Sequence, residues 1–252
     1  MNRKRIIPVL LLKNKKLVKG IKYLNHKYVG DPINTVKIFS DKLADELLLV
    51  DISKSENNLS PDYELLSKIA SEAHMPLGYG GGVKSLKQII KIIRLGYEKI
   101  IISTKAFHSP ELVKKSSKIL GSQSIVVQID YKINNLGNLT VHIHNGKFDT
   151  GIHPIHYAKR MCKLGAGEII LSSIEKEGTN KGYDVSFLAE ISKEIKTPIV
   201  ALGGAGSLND MMTVFKGTEI AACAAGDMFT FYGKHRAVLI NYPIQKEKIF
   251  KS

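Results

Sequence analysis

Residues 44–53 read ADELLLVDIS, and residues 166–175, which lie 122 positions later, read AGEIILSSIE. The hydrophobic positions of the two segments coincide throughout. Because one shift of nearly half the chain relates several separate blocks, the sequence predicts two fused copies of one architecture. The shift also superposes Gly81-Gly82 on Gly203-Gly204, Ser85-Leu86 on Ser207-Leu208, and residues 102–104 on residues 224–226.

Short apolar runs alternate with amphipathic stretches along the whole chain. Residues 85–95 and 185–195 have helical patterns, with Ser85 and Asp184 as N-caps. Eight strands with helices between them fit a single (β/α)8 barrel domain over residues 1–252 better than a doubly wound sheet. Residues 131–150 read as a hairpin inserted after the fifth strand. The predicted strands are 5–12, 46–52, 76–79, 99–103, 124–130, 168–173, 198–202 and 219–225.

The composition is that of an ordinary globular protein, with 44% hydrophobic and 24% charged residues. It excludes collagen-like, disordered and disulfide-scaffold classes. The apolar runs are far shorter than the roughly 20 residues of a membrane span, and a signal-peptide pattern is missing, so we expect a cytoplasmic protein without membrane contact. Cys162 and Cys223 are expected to be reduced core thiols.

A net charge of +14 favours anionic partners. The basic residues are scattered and lack interleaved aromatic residues, so we expect a phosphorylated small molecule rather than nucleic acid. His142, His144, His153 and His156 form a run without a well-placed acidic ligand. We therefore expect neither a metal nor a cofactor.

Glycine-rich turns at residues 79–82 and 202–206 follow predicted strands three and seven. Glycine lets several backbone N–H groups approach an anion closely, although turns also use glycine for conformation alone. Each turn is paired with a strand end of small residues, Ser103-Thr104 or Ala225-Gly226. Two such pairs, related by the repeat, favour phosphate binding and a ligand with phosphate at two ends.

Two carboxylates end strands at the catalytic face of the predicted barrel. Asp51 and Asp130 could transfer protons there, or could be held by loop N–H groups as structural residues. The half-barrel correspondence places Leu11 opposite Asp130, so an acid/base pair would have one carboxylate.

Four strand starts at the other end of the barrel carry charges. Arg5, Glu46, Lys99 and Glu168 could pair as a ring across the axis, or could be solvated surface charges. Their spacing alone favours the second interpretation, because exposed ion pairs are common and contribute little.

The sequence resembles the cyclase subunit family of imidazole glycerol phosphate synthase over nearly its whole length. The resemblance implies a two-fold barrel with two phosphate sites, docked on a glutaminase subunit that sends ammonia through the barrel. The residues that carry it are Lys4-Arg5-Ile6-Ile7-Pro8, Val18-Lys19-Gly20, Gly30-Asp31-Pro32, Ala44-Asp45-Glu46-Leu47, Asp51-Ile52-Ser53, Gly80-Gly81-Gly82, Gly121-Ser122-Gln123, Gly165-Ala166-Gly167-Glu168-Ile169, Gly178-Thr179, Gly182-Tyr183-Asp184 and Gly203-Gly204-Ala205-Gly206-Ser207-Leu208.

The family pattern assigns roles to matching residues. It makes Arg5, Glu46, Lys99 and Glu168 an ammonia gate, which reverses the interpretation from spacing alone. Gly82, Ser103 and Thr104 match one phosphate site, and Gly204, Ala225 and Gly226 match the other.

This sequence also departs from the family pattern. The catalytic aspartate pair falls on Leu11 and Asp130, the usual Asp-Gly after strand one is Asn14-Lys15, and Glu177 is the acidic residue before Gly178. The tail at residues 233–243 resembles paralogues associated with amidation of surface-polysaccharide (O-antigen) sugars.

Three functions follow from the resemblance. The first is a barrel that delivers ammonia to an amidotransferase acting on an acetamido sugar for lipopolysaccharide. The second is a true cyclase of histidine biosynthesis, a lyase that Leu11 disfavours. The third is a scaffold that activates the glutaminase without catalysis of its own, which the retained gate residues and glycines disfavour.

Overall fold

A computed structural model describes residues 4–233 and 235–243 of the chain. The strands are β1 Arg5–Lys13, β2 Lys16–Ile21, β3 Leu24–Gly30, β4 Leu47–Asp51, β5 Leu77–Gly80, β6 Lys99–Ile102, β7 Ile125–Ile133, β8 Leu139–Ile143, β9 Phe148–Asp149, β10 Glu168–Ser173, β11 Ile199–Leu202, β12 Ala222–Ala225, β13 Phe231–Tyr232 and β14 Ala237–Val238. The helices are α1 Pro32–Asp41, α2 Ile52–Glu56, α3 Tyr63–Ala70, α4 Leu86–Arg94, α5 Thr104–His108, α6 Pro110–Leu120, α7 Pro154–Lys163, α8 Val185–Glu194, α9 Leu208–Gly217 and α10 Asp227–Thr230, with a 3₁₀ turn at Ser122–Ser124.

Eight parallel strands of the described chain close on themselves. Their order is β1, β4, β5, β6, β7, β10, β11 and β12, and β12 pairs with β1 to complete the ring. Helices follow the strands and cover the outside of the barrel. This confirms the predicted (β/α)8 barrel of two half-barrels.

The predicted repeat is visible in matching local structures. Ser85 caps α4 and Ser207 caps α9, each accepting a hydrogen bond from the backbone N–H three residues later. Residues 102–104 and 224–226 both lead from a barrel strand into a short helix. The two halves therefore use the same turn chemistry at equivalent positions.

Strand bounds agree with the predictions to within one or two residues at most ends. The prediction of strand from residue 219 is wrong by three residues. There, Thr218 Oγ1 accepts the Ile220 N–H at 3.1 Å and donates to the Val214 carbonyl at 2.7 Å, which makes a turn after α9. A side chain that bonds to nearby backbone competes with the strand pattern.

Antiparallel strands extend the first strand of each half-barrel. The extension β8–β9 on β7 confirms the hairpin predicted at residues 131–150. The equivalent extension β2–β3 on β1 was not predicted. Both extensions continue from the carboxyl ends of their strands, so both stand at the barrel mouth.

The core has two parts. A large cluster fills the space between the barrel and its helices. A smaller cluster lies inside the barrel, where alternate residues of each strand point inward. Its buried members are Ile7, Val9, Leu48, Ile101, Val126, Ile170, Val200, Ala222 and Ala224.

The chain returns near its C-terminus to close the junction of β1 and β4. Tyr242 is 2% exposed, and its hydroxyl donates to the Ile6 carbonyl at 2.9 Å and accepts from the Asp45 N–H at 3.1 Å. Its ring packs against Phe39 and Phe229. The tail is therefore an integral part of the barrel wall.

Tyr242→Phe should lower the free energy of unfolding by about 1–3 kcal/mol, since it removes the hydroxyl that binds the Asp45 N–H and the buried Ile6 carbonyl. Urea unfolding followed by circular dichroism measures the change. Tyr232→Phe is the matched control, because Tyr232 is 66% exposed. Equal stability of both variants would show that the tail does not support the barrel.

Candidate functional site

The floor of the barrel carries the four charged residues predicted from the strand starts. Arg5, Glu46, Lys99 and Glu168 precede inward-facing Ile7, Leu48, Ile101 and Ile170 by two residues each. Because side chains alternate along a strand, all four point into the barrel axis.

These four side chains form a closed ring of alternating charge. Arg5 donates to Glu46 and to Glu168 through its two terminal nitrogens. Lys99 Nζ lies 2.8 and 2.9 Å from the two oxygens of Glu46 and 2.8 Å from Glu168 Oε2. The ring is therefore built as the first interpretation of these charges predicts, and solvated surface charges do not describe it.

The ring is largely removed from solvent. The Glu46 and Glu168 side chains are 3% and 7% exposed. Burial tends to lower the pKa of Arg5, but the carboxylates of Glu168 and Glu46 outweigh it and raise that pKa. Four paired charges thus cap the apolar interior of the barrel.

The opposite end of the barrel carries Asp130 at its centre. Asp130 Oδ1 accepts from Gln128 Nε2 at 2.7 Å and from the Tyr23 hydroxyl at 2.7 Å. Ser103 Oγ donates to Oδ2 at 3.3 Å. Burial raises the pKa of Asp130, partly offset by these hydrogen bonds. A carboxyl with a raised pKa in a cavity is suited to proton transfer.

Leu11 occupies the position equivalent to Asp130 in the other half-barrel. Leu11 pairs with Val50 on β4, and Asp130 pairs with Ser172 on β10. Val50 and Ser172 are themselves related by the shift of 122 residues. Leu11 also lines the mouth, so an aliphatic side chain faces the place where a second carboxylate would act.

Two cavities flank the mouth, and each contains one of the predicted phosphate sites. The first cavity includes Gly82, Ser103 and Thr104. The second includes Gly204, Ala225 and Gly226. The structure therefore brings each predicted set together, one set in each half-barrel.

Backbone geometry at the two turns requires glycine. Gly82 has φ +66°, and a Cβ there would lie 2.3 Å from the Leu59 carbonyl oxygen. Gly204 has φ +105°, and a Cβ would lie 2.1 Å from the Gly182 carbonyl oxygen. Conformation alone thus accounts for both glycines, and phosphate binding remains a prediction that needs its own test.

Lys19 adds a cation to the second cavity that the sequence interpretation did not assign. Its ammonium group donates to the Val9 carbonyl at 2.6 Å and fills the space beside Gly226, where a Cβ would lie 1.9 Å away. Burial lowers the pKa of Lys19 to about 8, against the attraction of Glu177 and Asp227. A buried lysine beside a small-residue turn is a fitting partner for a phosphate group.

Glu177 lies in the second cavity, as a candidate site residue should. Its carboxylate accepts the Tyr23 N–H at 3.1 Å, and burial raises its pKa. Asp227, in the same cavity, pairs with Arg236 of the tail at 2.7 Å. The distinctive tail therefore reaches the edge of the second cavity.

Asp51 has a structural role. Its Oδ1 accepts from the Ser53 hydroxyl at 2.6 Å and from the Lys54 N–H at 3.2 Å, so it caps α2. Asp51 is absent from the described residues that line the two cavities. These hydrogen bonds agree with the interpretation of Asp51 as a carboxylate held by loop donors, and proton transfer by Asp51 stays a prediction.

The histidines are dispersed. His142 lies near Thr140 and Asp149, His144 contacts His108, and His153 caps α7. Across residues 4–233 and 235–243, no group of three or more His, Cys, Asp or Glu side chains could hold a metal ion. In the same residues, Cys162 and Cys223 form no disulfide, and no helix is long and apolar enough to cross a membrane.

Lys19 and Tyr23 were missed because the hairpin that carries them was missed. The signal was present as two polar-apolar strands, KLVKGI and LNHKYVG, around the two residues Lys22-Tyr23. Lysine and tyrosine are unusual in such a turn, which commonly uses Asn-Gly. For this reason the turn sequence did not predict the hairpin.

Comparisons with known proteins agree with the fold. The family described as "Histidine biosynthesis protein" matches residues 5–236. A Leptospira interrogans protein named "Putative imidazole glycerol phosphate synthase subunit HisF" is 45% identical over 98% of both chains. A Pseudomonas aeruginosa protein named "Putative imidazole glycerol phosphate synthase subunit hisF2" is 44% identical over 96% of this chain and 97% of its own length.

A Lactococcus lactis imidazole glycerol phosphate synthase subunit HisF is 37% identical over 99% of this chain and 96% of its own length. These matches cover nearly the whole barrel, including both ends of its axis. The chain belongs to the histidine biosynthesis protein family, as a HisF-like subunit of the imidazole glycerol phosphate synthase type.

Proposed function

We propose that this protein pairs with a glutaminase subunit and passes glutamine-derived ammonia through its barrel to an amidotransferase that modifies an acetamido sugar for surface polysaccharide. The observation that carries the proposal is the order of charged, apolar and polar layers along the barrel axis. A ring of four paired charges closes the floor, an apolar interior follows, and a polar mouth lies at the far end.

The chemistry of ammonia suits this axis. Neutral ammonia is small and can pass an apolar interior, whereas ammonium and other ions would lose their hydration there at a large cost. The ring of Arg5, Glu46, Lys99 and Glu168 would admit ammonia from a glutaminase docked at the floor and limit the entry of water.

The choice of acceptor rests on Leu11. A cyclase reaction at the mouth would use two opposed carboxylates, and here Asp130 faces an aliphatic side chain. Delivery of ammonia to a separate enzyme needs no such pair. Two similar proteins carry numbered names, the hisF2 protein of Pseudomonas aeruginosa and the hisF3 protein of Vibrio vulnificus, which supports a role beside the ordinary cyclase.

Two alternatives are distinguished by experiment. A genuine cyclase of histidine biosynthesis would have to work with Asp130 alone. A scaffold that only activates the glutaminase would have no use for an apolar axis capped by buried charges. Neighbouring genes for sugar-nucleotide enzymes would favour the proposed function, and neighbouring histidine-pathway genes would favour the cyclase.

Lys99→Ala should reduce the share of ammonia that reaches the acceptor while preserving the complex with the glutaminase. Removing Lys99 leaves Glu46 and Glu168 partly uncompensated, which distorts the ring or admits water. The measurement is the ratio of amidated product to glutamate, with external ammonium supplying the acceptor directly as a reference.

Lys68→Ala is the matched control for Lys99→Ala, because Lys68 forms an exposed ion pair with Glu64 on α3. It should leave the ratio unchanged. An unchanged ratio in both Lys99→Ala and Glu46→Ala would show that ammonia does not travel through this barrel.

The wild-type gene should not replace a cyclase gene in a histidine auxotroph. Loss of one member of an acid/base pair lowers the rate by about 10² to 10⁴. Growth on medium without histidine measures the outcome, with a cyclase gene as the positive control. Growth at the normal rate on this gene alone would establish the cyclase alternative.

Phosphate should raise the melting temperature, and the part of this effect that depends on Lys19 should disappear as pH rises through about 8. Lys19 is charged below that pKa and neutral above it, so its attraction for phosphate is lost on the alkaline side. Wild type and Lys19→Gln should differ in phosphate-induced shift at pH 7 and agree at pH 9.5. If phosphate does not raise the melting temperature of the wild type at either pH, the glycines of the two turns serve backbone conformation alone.

A further inference from the structure

Asp227 is a buried carboxylate of the second cavity that the passage of ammonia does not use. It is 6% exposed and lines that cavity. Its Oδ2 accepts from Arg236 of the tail at 2.7 Å, whereas its buried Oδ1 has no hydrogen-bond donor among the residues that the structure describes. A buried acceptor without a donor is costly, so a ligand that donates a hydrogen bond to Oδ1 would be stabilised there.

A buried cation lies next to this carboxylate. A Cβ on Gly226, the residue before Asp227, would lie 1.9 Å from Lys19 Nζ. Burial lowers the pKa of Lys19, and the charge of Asp227 is among the effects that oppose this lowering. An ammonium group carries three donors, and the Val9 carbonyl accepts one of them. Lys19 therefore has donors for an anion in the cavity.

The second cavity also carries enough negative charge to disfavour a fully deprotonated anion. Glu177 lines the cavity together with Asp227. Burial raises the pKa of Glu177, and the charge of Asp227 adds to this rise, so the two carboxylates repel each other. A dianion would be repelled by both and would have no proton to donate to Oδ1. An anion that keeps a proton is repelled less and can donate to Oδ1.

The other half-barrel carries the opposite charge at the equivalent position. The shift of 122 residues superposes Asp227 on Lys105. Lys105 lies in α5 and lines the first cavity, as Asp227 lies in α10 and lines the second. The first cavity thus has a cation where the second has an acceptor without a donor.

We propose that Asp227 is a specificity-determining residue of the second cavity: its Oδ1 accepts the proton of a phosphate group that keeps one, while Lys19 binds other oxygens of that group. A phosphate monoester exchanges this proton at about pH 6, whereas a sulfate group has no proton to donate. The second cavity therefore selects phosphate over sulfate, and the first cavity, with Lys105, does not. This inference rests on the prediction that both glycine turns bind phosphate.

The test compares inorganic phosphate with sulfate, an anion of nearly the same size and shape, at pH 6. NMR titrations of the full chain follow the backbone amide signals of Gly204 and Gly226 for the second cavity and of Gly82 for the first. In wild type, phosphate should bind the second cavity at least about tenfold more tightly than sulfate, because a hydrogen bond to a charged group is a strong one. The charge of Lys19 alone predicts the reverse, since sulfate is the more negative anion.

Asp227→Asn should remove this preference, so that sulfate binds the second cavity at least as tightly as phosphate. An amide can donate to sulfate and carries no charge that repels it. Asp227→Ser gives the same comparison if the asparagine variant does not fold. At Gly82, sulfate should bind at least as tightly as phosphate in wild type and in both variants.

Arg236→Gln is the matched control, since it breaks the ion pair at Oδ2 and keeps the carboxylate of Asp227. It should retain the preference for phosphate in the second cavity. Loss of the preference in Arg236→Gln as well would assign the effect to the position of the tail and would overturn the inference.

Sulfate binding as tight as phosphate binding at Gly204 and Gly226 of wild type would also overturn the inference, as would a preference that persists in Asp227→Asn. Absence of any phosphate-induced shift at these two amides would remove the second phosphate site and the inference together. Ammonia transfer is measured separately through the product ratio, so its failure is distinct from each of these outcomes.

Discussion

The alternation of side chains along a barrel strand is the constraint on which the rest of the molecule depends. On β1 it places Arg5, Ile7, Val9 and Leu11 in one inward-facing column, from the charged floor through the apolar interior to the mouth. One strand therefore supplies a part of every layer of the axis. A shift of register by one residue would move the whole column to the outside.

The floor ring shows why such charges are retained in a protein interior. Burying ions is costly, and replacing a buried ion network with apolar side chains is often neutral or stabilising, whereas removing one partner costs about 3–5 kcal/mol. The stability of the fold alone therefore explains poorly why Arg5 and Lys99 form ion pairs with two buried glutamates. An apolar plug would stabilise the floor equally well and would close it permanently. In the proposed function, a ring of hydrogen-bonded charges would close the floor to water and would open for ammonia.

The sequence predicts the parts of this molecule that repeat or alternate. The shift of 122 residues identified the two half-barrels, and the strand starts identified the floor residues, although spacing alone favoured solvent for them. The β2–β3 hairpin was not predictable from turn preferences, because Lys22 and Tyr23 are poor residues for a turn with positive φ. Their conformation is fixed by Glu177 and Asp130, which are distant in sequence. The role of Asp51 likewise depends on which way its side chain turns after the strand ends.

The two halves of the barrel have kept one framework and diverged at the mouth. Equivalent serines cap equivalent helices, and equivalent glycines make equivalent turns. At the centre the symmetry is broken twice, because Leu11 faces Asp130 and because Tyr23 reaches across to the same carboxylate. The first difference places an aliphatic side chain where the family pattern predicts a second carboxylate, and the second places a phenol hydroxyl 2.7 Å from Asp130 Oδ1. Neither difference alters the charged floor or the apolar interior. The proposed passage of ammonia would use the floor and the interior, whereas the expected lack of cyclase activity would follow from the two differences at the mouth.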